Sequence, residues 1–251
     1  MRYFYILPVL IGLLTSTTVA SAQTSHSLLS GLVSYWSLDE NSGNAIDSKG
    51  NNNLTNNSVT YTAGKFGNGA SFDGATSNLQ IADNQQNGLD IAGDMTISLW
   101  VKCNTLSSGI SDAQTLVSKF SSFDNQRSYR LLYYSPNGVP QFLFQNDSNG
   151  LDDKIALWPK TVSLNEWHHI VLVYTAQKGK AELYLDGKSL GEKTGLNTSM
   201  FNGTASFSLG ESIGAPDEYP LNGMLDEVGI WSRALGQGEV EIISHHPRAL
   251  P

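Results

Sequence analysis

Residues 181–188 read AELYLDGK, and this stretch decides how the rest of the chain is interpreted. Leu183 and Leu185 alternate with Glu182 and Tyr184, a period-two pattern that predicts a β-strand. The Asp-Gly pair that follows readily supplies the positive φ angles of a tight two-residue turn. The stretch therefore predicts a strand that runs directly into a β-hairpin.

Short strand-like runs of the same kind recur along the sequence, separated by Gly, Asn, Asp or Pro. This spacing is typical of an antiparallel β-sandwich. The runs occupy residues 32–36, 95–101, 129–134, 141–145 and 170–174. One short helix is predicted from Gln237 to His246, because Val240, Ile243 and Ser244 follow helical spacing and Pro247 stops the helix.

The composition predicts one globular domain. The chain has 251 residues, of which 40% are hydrophobic and 10% aromatic, enough apolar material for a substantial core. No Pro/Ser-rich linker divides residues 23–251, so we expect one all-β domain there. Cys103 is the only cysteine, which excludes an intramolecular disulfide and a Cys-based zinc site. We expect Cys103 to be a buried thiol at the end of a strand.

Residues 1–22 have the pattern of a signal peptide. Arg2 is followed by an apolar run and then by the small-residue sequence Ala20-Ser21-Ala22. Cleavage there would export the domain to the periplasm or the cell exterior. No later stretch approaches the roughly 18 apolar residues of a transmembrane helix. The formal net charge of −8 argues against nucleic acid as a partner, because phosphate binding relies on Lys and Arg clusters.

Several short motifs follow one another along the chain: YWSLDE (35–40), GKFGNGASFDG (64–74), TISLWVK (96–102), TLVSK (115–119), EWHHIV (166–171), LYLDG (183–187) and GMLDEVGIWSRAL (223–235). Taken in this order, the motifs resemble laminin G-like domains of the concanavalin A-like lectin and glucanase superfamily. The resemblance covers about residues 30–245 and implies a two-sheet antiparallel jelly-roll sandwich. It also implies ligand surfaces on edge loops and on the concave face.

The resemblance also implies a structural Ca²⁺ at the edge of the sandwich. Its expected ligands are Asp73 and Asp226, with Asp39 contributing a further oxygen. Ca²⁺ prefers six to eight oxygen ligands, which Asp- and Gly-rich loops can supply without a contiguous motif. The alternative is that Asp73 and Asp226 cap turns and bind no ion.

No catalytic residue is assigned from the sequence. The Glu-x-Asp-x-Glu strand of related glucanases is absent, as are a Gly-x-Ser-x-Gly elbow and a His-Glu-x-x-His helix. A polysaccharide lyase of this fold would need Arg, His or Gln, and Tyr on one face, for which Arg127, Tyr129, His168 or His169, and Tyr184 are candidates. Because adjacent strand residues point to opposite faces, the His168-His169 pair cannot chelate one ion, and a structural role is expected.

Aromatic residues beside polar loops provide the candidate ligand contacts. Carbohydrate sites combine stacking rings with hydrogen-bonding side chains. Trp158, Tyr133, Tyr134 and Tyr219 lie near Gly-, Asn- and Pro-containing segments, and Trp158 is the first choice for stacking on a sugar. The alternative for Trp158 is a partly buried edge aromatic.

The sequence thus favours an exported, non-catalytic, lectin-like domain that binds carbohydrate and holds calcium. Two alternatives stay open: an adhesion domain that binds an extracellular protein, and an unrecognised lyase or glycoside hydrolase of the same fold.

Overall fold

The computed structural model describes residues 27–106, 113–213, 219–245 and 250, which form two antiparallel β-sheets packed face to face. In the eight-stranded sheet, seven strands form a continuous path and β1 pairs with β15 beside it. The order along the path is β13 (Lys188–Thr194), β12 (Lys180–Leu185), β11 (His168–Thr175), β6 (Met95–Cys103), β15 (Asn222–Trp231), β4 (Asn68–Asp73) and β3 (Thr60–Ala63), and β1 is Leu32–Trp36.

The second sheet has seven strands within the described residues. Its order is β10 (Lys154–Pro159), β9 (Gln141–Asn146), β8 (Gln126–Tyr134), β7 (Ala113–Ser121), β14 (Phe207–Leu209), β5 (Asn78–Ile81) and β2 (Thr55–Asn57). Helix α1 (Gln237–His245) packs on the outer face of the eight-stranded sheet. Short 3₁₀ turns occupy Asp83–Gln85, Pro136–Gly138 and Ala176–Lys178, and residues 27–29 are helical.

These elements confirm the predicted jelly-roll sandwich. Each predicted strand run lies within an observed strand, and the Asp-Gly turn joins β12 to β13 with φ of +50° at Asp186 and +75° at Gly187. The predicted helix is present to His245, whereas His246 lies outside the described residues. The predicted signal peptide, residues 1–22, also lies outside them. No helix in the described part of the chain is long and apolar enough to cross a membrane.

The core lies between the two sheets and is built from the inward row of each strand. Trp36 of β1 stacks on Phe207 of β14 with ring centroids 5.3 Å apart, which joins the two sheets directly. Cys103 ends β6 and is buried, as predicted, and burial raises the pKa of its thiol to about 12.

The Asn-rich stretch 51–57 is more structured than its polarity suggests. Five of its seven residues are Asn, a composition that favours turns and surface loops, yet Thr55–Asn57 forms β2 and Asn52 is buried. The Asn52 side chain donates to the Ser34 hydroxyl and accepts the backbone N–H of Asn87. Its hydrogen bonds therefore replace those that water would make, which lets an amide enter the interior.

Candidate functional site

The outer face of the seven-stranded sheet carries a groove at β8, β9 and β10. From Tyr129 to Tyr134 of β8, odd-numbered side chains enter the core and even-numbered side chains reach the outer face, as strand alternation requires. The cavity there has a volume of about 260 Å³. Its lining, called the outer groove from here on, consists of Ala113, Arg130, Leu132, Tyr134, Leu143, Gln145, Ile155, Leu157 and Tyr219.

Arg130 provides the main polar group of the outer groove. It lies opposite Gln145 in the β8–β9 ladder, and its Nε donates to the Gln145 Oε1 at 2.7 Å. Its guanidinium also lies 4.0 Å from the ring centroid of Phe120 and 5.4 Å from that of Tyr219. An arginine stacked on rings is held in a fixed orientation, so its donors are arranged before any ligand arrives.

Tyr219 reaches the groove from a segment outside the strands. Its backbone carbonyl accepts the N–H of Thr115 at 2.8 Å, which fixes the segment to β7. Its φ of +42° is uncommon for a residue with a side chain, and such conformations persist only where the surroundings enforce them. Tyr219 and Tyr134 pack on the small apolar cluster of Ala113, Leu132 and Leu143. Both rings are half-buried and so present an exposed portion at the groove.

Edge strand β10 completes the outer groove with exposed aliphatic side chains. Ala156 and Trp158 point inward, whereas Ile155 and Leu157 point outward with 52% and 37% of their surface exposed. The groove therefore combines two tyrosine rings, an aliphatic wall and the Arg130–Gln145 pair. None of the residues that line it carries a carboxylate.

Two of the four predicted aromatic contacts lie in the core instead of the groove. The ring of Trp158 is 1% exposed, and its Nε1 donates to the Gly191 carbonyl at 2.7 Å. Tyr133 is fully buried and packs against Phe142. Both residues occupy the inward row of their strand, so neither offers a face to a sugar. This corrects the expectation for Trp158 and Tyr133, while Tyr134 and Tyr219 come together as groove residues.

The predicted calcium ligands do not converge on one point. Asp73 lies opposite Asn222 in the β4–β15 ladder, and Asp226 is four residues further along β15. At about 3.4 Å per residue this separation is about 14 Å, whereas two ligands of one Ca²⁺ lie within about 5 Å of each other. The described residues contain no group of three or more His, Cys, Asp or Glu placed to hold a metal ion. One ion bound by both Asp73 and Asp226 does not fit this arrangement.

Asp73 is occupied by its own turn. Its Oδ1 accepts the backbone N–H groups of Ala75, Thr76 and Ser77 and the Ser77 hydroxyl, at 2.8 to 3.1 Å. Although burial opposes the charged form, these hydrogen bonds lower the pKa of Asp73 to about 2. Asp73 therefore has the turn-capping role that was the alternative to calcium.

Asp226 and Asp39 both accept hydrogen bonds from the turn at residues 65–68. The Asp226 Oδ2 accepts the N–H groups of Lys65 and Phe66 at 2.7 and 2.9 Å, and the Asp39 Oδ1 accepts the N–H of Asn68 at 2.9 Å. Asp226 sits at a bulge where the β15 register shifts. It is fully buried, and burial raises the pKa of its carboxyl to about 7, with a smaller effect from the charge of Asp39.

The residues considered for a lyase site are divided between the two sheets. Arg127 pairs with Asp153 at 2.7 Å, and Tyr129 is buried in the core. His169 and Tyr184 lie on the other sheet. Within the described structure these side chains share no face, so they do not form the constellation that a lyase would need.

The two adjacent histidines have separate structural environments. His169 is 1% exposed beneath α1, with Nε2 2.9 Å from the Ser98 hydroxyl and Nδ1 3.0 Å from the Ser244 hydroxyl. Burial lowers the pKa of its imidazole to about 3. The Nδ1 of His168 lies 2.8 Å from the Asp186 Oδ2. The structural role predicted for a hydrogen-bonded histidine is confirmed for His169.

Two antiparallel sheets packed face to face in this order define a jelly-roll β-sandwich. The chain belongs to the concanavalin A-like lectin/glucanases superfamily, because the Laminin_G_3 family model matches residues 73–241. This match covers more than half of the chain and contains the five motifs between residues 96 and 235.

Related proteins and solved structures share this fold. Neuronal pentraxin-2 of Cavia porcellus is 30% identical over 105 residues, which are 38% of this chain and 24% of that protein. The matched region thus spans about a quarter of the curated relative. Domain 4 of AbnA, a GH43 extracellular arabinanase from Geobacillus stearothermophilus solved with arabinotriose, superposes with a TM-score of 0.63 at 21% identity, covering 85% of this chain and 98% of that one.

A second solved structure with this fold is the binding domain of a toxin. The binding domain of botulinum neurotoxin DC, in complex with rat synaptotagmin II, superposes with a TM-score of 0.66 at 12% identity and covers 87% of this chain and 52% of that one. At 21% and 12% identity, the two superpositions show a shared fold and nothing about the ligand.

Proposed function

We propose that the protein is a non-catalytic carbohydrate-binding domain whose ligand lies in the outer groove. The observation that carries this proposal is the meeting of Tyr134 and Tyr219 with the hydrogen-bonded Arg130–Gln145 pair in one groove. Sugar rings present apolar faces that pack on aromatic side chains and hydroxyls that accept from and donate to polar groups.

The size of the outer groove suits part of a longer glycan chain. Its volume of about 260 Å³ lies below the ~300–1,000 Å³ of enclosed small-molecule sites. Such an open groove holds one portion of a ligand while the remainder stays in solvent. The arabinotriose complex of the arabinanase domain with the same fold supports carbohydrate as the ligand class.

The test is titration calorimetry against a panel of soluble polysaccharides. Tyr134→Ala and Tyr219→Ala should each weaken the positive ligand by about tenfold, the equivalent of ~1.4 kcal/mol. Phe123→Ala is the matched control, because Phe123 is an aromatic side chain that is 73% exposed and lies outside the groove. Binding that survives both tyrosine substitutions would exclude the groove as the site.

A protein ligand is the second candidate, and two exposed apolar turns favour it. Phe123 in the β7–β8 turn and Leu151 in the β9–β10 turn are 73% and 68% exposed. Both turns lie at the same end of the sheet, where Asn125 is in close contact with Gly150. Free sugars separate the candidates, because they compete with a glycan at the outer groove and leave a protein complex at the turns intact.

An assay for released reducing ends on the same panel of polysaccharides tests the enzyme alternative.

Calcium is a separate proposal, confined to the turn held by Asp39 and Asp226. The Asp226 Oδ1 is buried and has no hydrogen-bond partner among the described residues, so it is the carboxylate oxygen available to an ion. Thermal melts with EGTA and then with Ca²⁺ test it. A rise in the melting temperature that Asp226→Asn abolishes supports binding there, and unchanged melting removes the proposal.

Export through residues 1–22 is also proposed, on the strength of the signal-peptide pattern. Processing between Ala22 and Gln23, read from the amino-terminal sequence of the exported protein, tests it.

A further inference from the structure

A second cavity lies beside edge strands β10 and β13, one from each sheet. It has a volume of about 390 Å³. One wall is the segment that follows β10, with Lys160, Thr161 and Ser163. The other wall is the β12–β13 hairpin with Asp186 and Lys188, and His168 lines the cavity from the start of β11. We call it the end cavity.

Two lysines without ion-pair partners face the end cavity. Lys119, Lys154 and Lys180 are paired with carboxylates, and Lys65 and Lys102 lie over aromatic rings. Lys160 and Lys188, like Lys49, Lys178 and Lys193, take part in no ion pair within the part of the chain that the structure describes, and they are the two of these five that line the end cavity. The chain as a whole has a net charge of −8, so two unpaired ammonium groups at one cavity are a local departure from its overall charge.

Asp186 supplies the carboxylate that lines the end cavity, and it already contacts two neighbouring histidines. The Asp186 Oδ1 accepts the backbone N–H of His169 at 2.8 Å, and its Oδ2 lies 2.8 Å from the His168 Nδ1. Because an ionised carboxylate can only accept, Nδ1 carries the hydrogen of this contact. Asp186 thus fixes the orientation of the imidazole, and it makes no ion pair with Lys160 or Lys188.

The opposite nitrogen of His168 lacks a partner. The His168 Nε2 is buried and makes no hydrogen bond to any described residue. Buried polar atoms are generally satisfied by protein, water or ligand. In the neutral imidazole with its hydrogen on Nδ1, Nε2 is an acceptor and suits a hydroxyl of a ligand. The attraction for a negatively charged group comes from the ammonium groups of Lys160 and Lys188, with the hydroxyls of Thr161 and Ser163 as donors in the same cavity.

We propose that the end cavity binds an anionic group of a ligand, a carboxylate, a sulfate or a phosphate ester, through the ammonium groups of Lys160 and Lys188. The hydroxyls of Thr161 and Ser163 supply neutral donors, and the ring of His168, held by Asp186, forms the inner wall. This site is distinct from the outer groove: the two share no lining residue, and Lys160 follows directly after β10, whose outer side chains line the groove.

The test uses the full chain and titration calorimetry at constant ionic strength. Sodium glucuronate, sulfate and inorganic phosphate are the three probes, and neutral glucose is the uncharged reference. We expect saturable binding of at least one anion, and the probe that binds most tightly identifies the carboxylate, sulfate or phosphate source. Glucose should give no saturable heat at this site.

The variants separate the end cavity from charge in general. Lys160→Met with Lys188→Met should weaken the bound anion at least tenfold. Lys49→Met with Lys178→Met is the matched control, since it removes the same charge at exposed positions outside the cavity and should leave the affinity within twofold. Tyr134→Ala should also leave it unchanged, so that failure of this site and failure of the outer groove are distinguishable.

The imidazole signals of His168 give a readout that does not depend on heat. In spectra of ¹⁵N-histidine-labelled protein, the bound anion should shift the His168 resonances and leave those of buried His169 in place. Three results would overturn the proposal: no saturable binding of any of the three anions, equal losses in the two double variants, or anion binding that leaves the His168 signals unmoved.

Discussion

The guanidinium of Arg130 lies 5.4 Å from the ring centroid of Tyr219, and this contact joins β8 to a segment nearly ninety positions later in the sequence. The contact depends on the backbone of Tyr219, whose carbonyl is tied to Thr115 and whose φ is positive. The stacked pair forms the polar end of the outer groove, opposite the aliphatic wall of β10.

Arg130→Lys should weaken carbohydrate binding even though the charge is conserved. Lysine has no planar group to stack between Phe120 and Tyr219 and cannot keep the fixed hydrogen bond to Gln145. We expect a loss of about tenfold in affinity, the equivalent of ~1.4 kcal/mol. Calorimetry with the positive polysaccharide measures it, and an unchanged affinity would mean that only charge matters at this position.

The strand pattern of the sequence predicts the fold well, because period-two alternation and Asp-Gly turns are local properties. The groove is less predictable, because which face of a strand is inward depends on the facing sheet. Trp158 illustrates the limit: it follows a polar loop, yet it takes the inward row of β10. In the sequence, Arg130 stands out only as the charged residue of an otherwise uncharged strand run. Its partner Tyr219 is positioned by tertiary contacts, which residue spacing does not predict.

We expect the buried Lys119 to contribute strongly to the free energy of unfolding. Its Nζ is fully buried in the described structure and lies 2.7 Å from the Asp83 Oδ1, 2.9 Å from the Asp90 Oδ1 and 2.7 Å from the Gly203 carbonyl oxygen. Lys119→Met leaves two carboxylates without their cation. Removing one partner of a buried charge cluster costs about 3–5 kcal/mol of the free energy of unfolding. Urea unfolding at pH 7 measures the loss.

Lys154→Met serves as the control for Lys119. Lys154 pairs with Asp152, but both side chains are more than 40% exposed. An exposed ion pair contributes about 0–1 kcal/mol, so this variant should unfold close to the wild-type midpoint. A similar loss in both variants would show that the burial of Lys119 is not what makes it important.

Glu239 links helix α1 to the segment that precedes β1. Arg233 donates to both of its carboxylate oxygens at 2.7 Å, and the Ser27 hydroxyl donates to its Oε1 at 2.6 Å. The hydrogen bonds from Arg233 are the largest cause that lowers the pKa of Glu239 to about 2. A lowered folded-state pKa stabilises the fold above the unfolded value of about 4.5, and this contribution is lost as the pH falls toward 2.

Glu239→Gln should therefore lower the free energy of unfolding by about 1–3 kcal/mol at pH 7. The difference from wild type should shrink below pH 4.5 as the native carboxylate becomes protonated. Chemical unfolding at several pH values measures this convergence. Glu241→Gln on the same helix is the control, because the Glu241 side chain is exposed and, among the described residues, accepts a hydrogen bond only from the Gln237 amide, at 3.3 Å. A gap that stays constant down to pH 3 would contradict the ion-pair explanation.

The buried imidazole of His169 should make the free energy of unfolding sensitive to acid. A side chain that does not titrate should reduce this sensitivity. Burial lowers the pKa of its imidazole from 6.5 to about 3, so the unfolded chain binds this proton more readily than the folded chain. The folded state should lose up to ~1.4 kcal/mol of stability per pH unit below about 6.5, until pH 3 is reached. His169→Gln should be less stable at pH 8, where the bonds to Ser98 and Ser244 are intact in the wild type, yet should lose less on acidification. Urea unfolding from pH 8 to pH 4 compares the slopes of stability against pH. Parallel curves for wild type and His169→Gln would show that this imidazole does not cause the acid sensitivity.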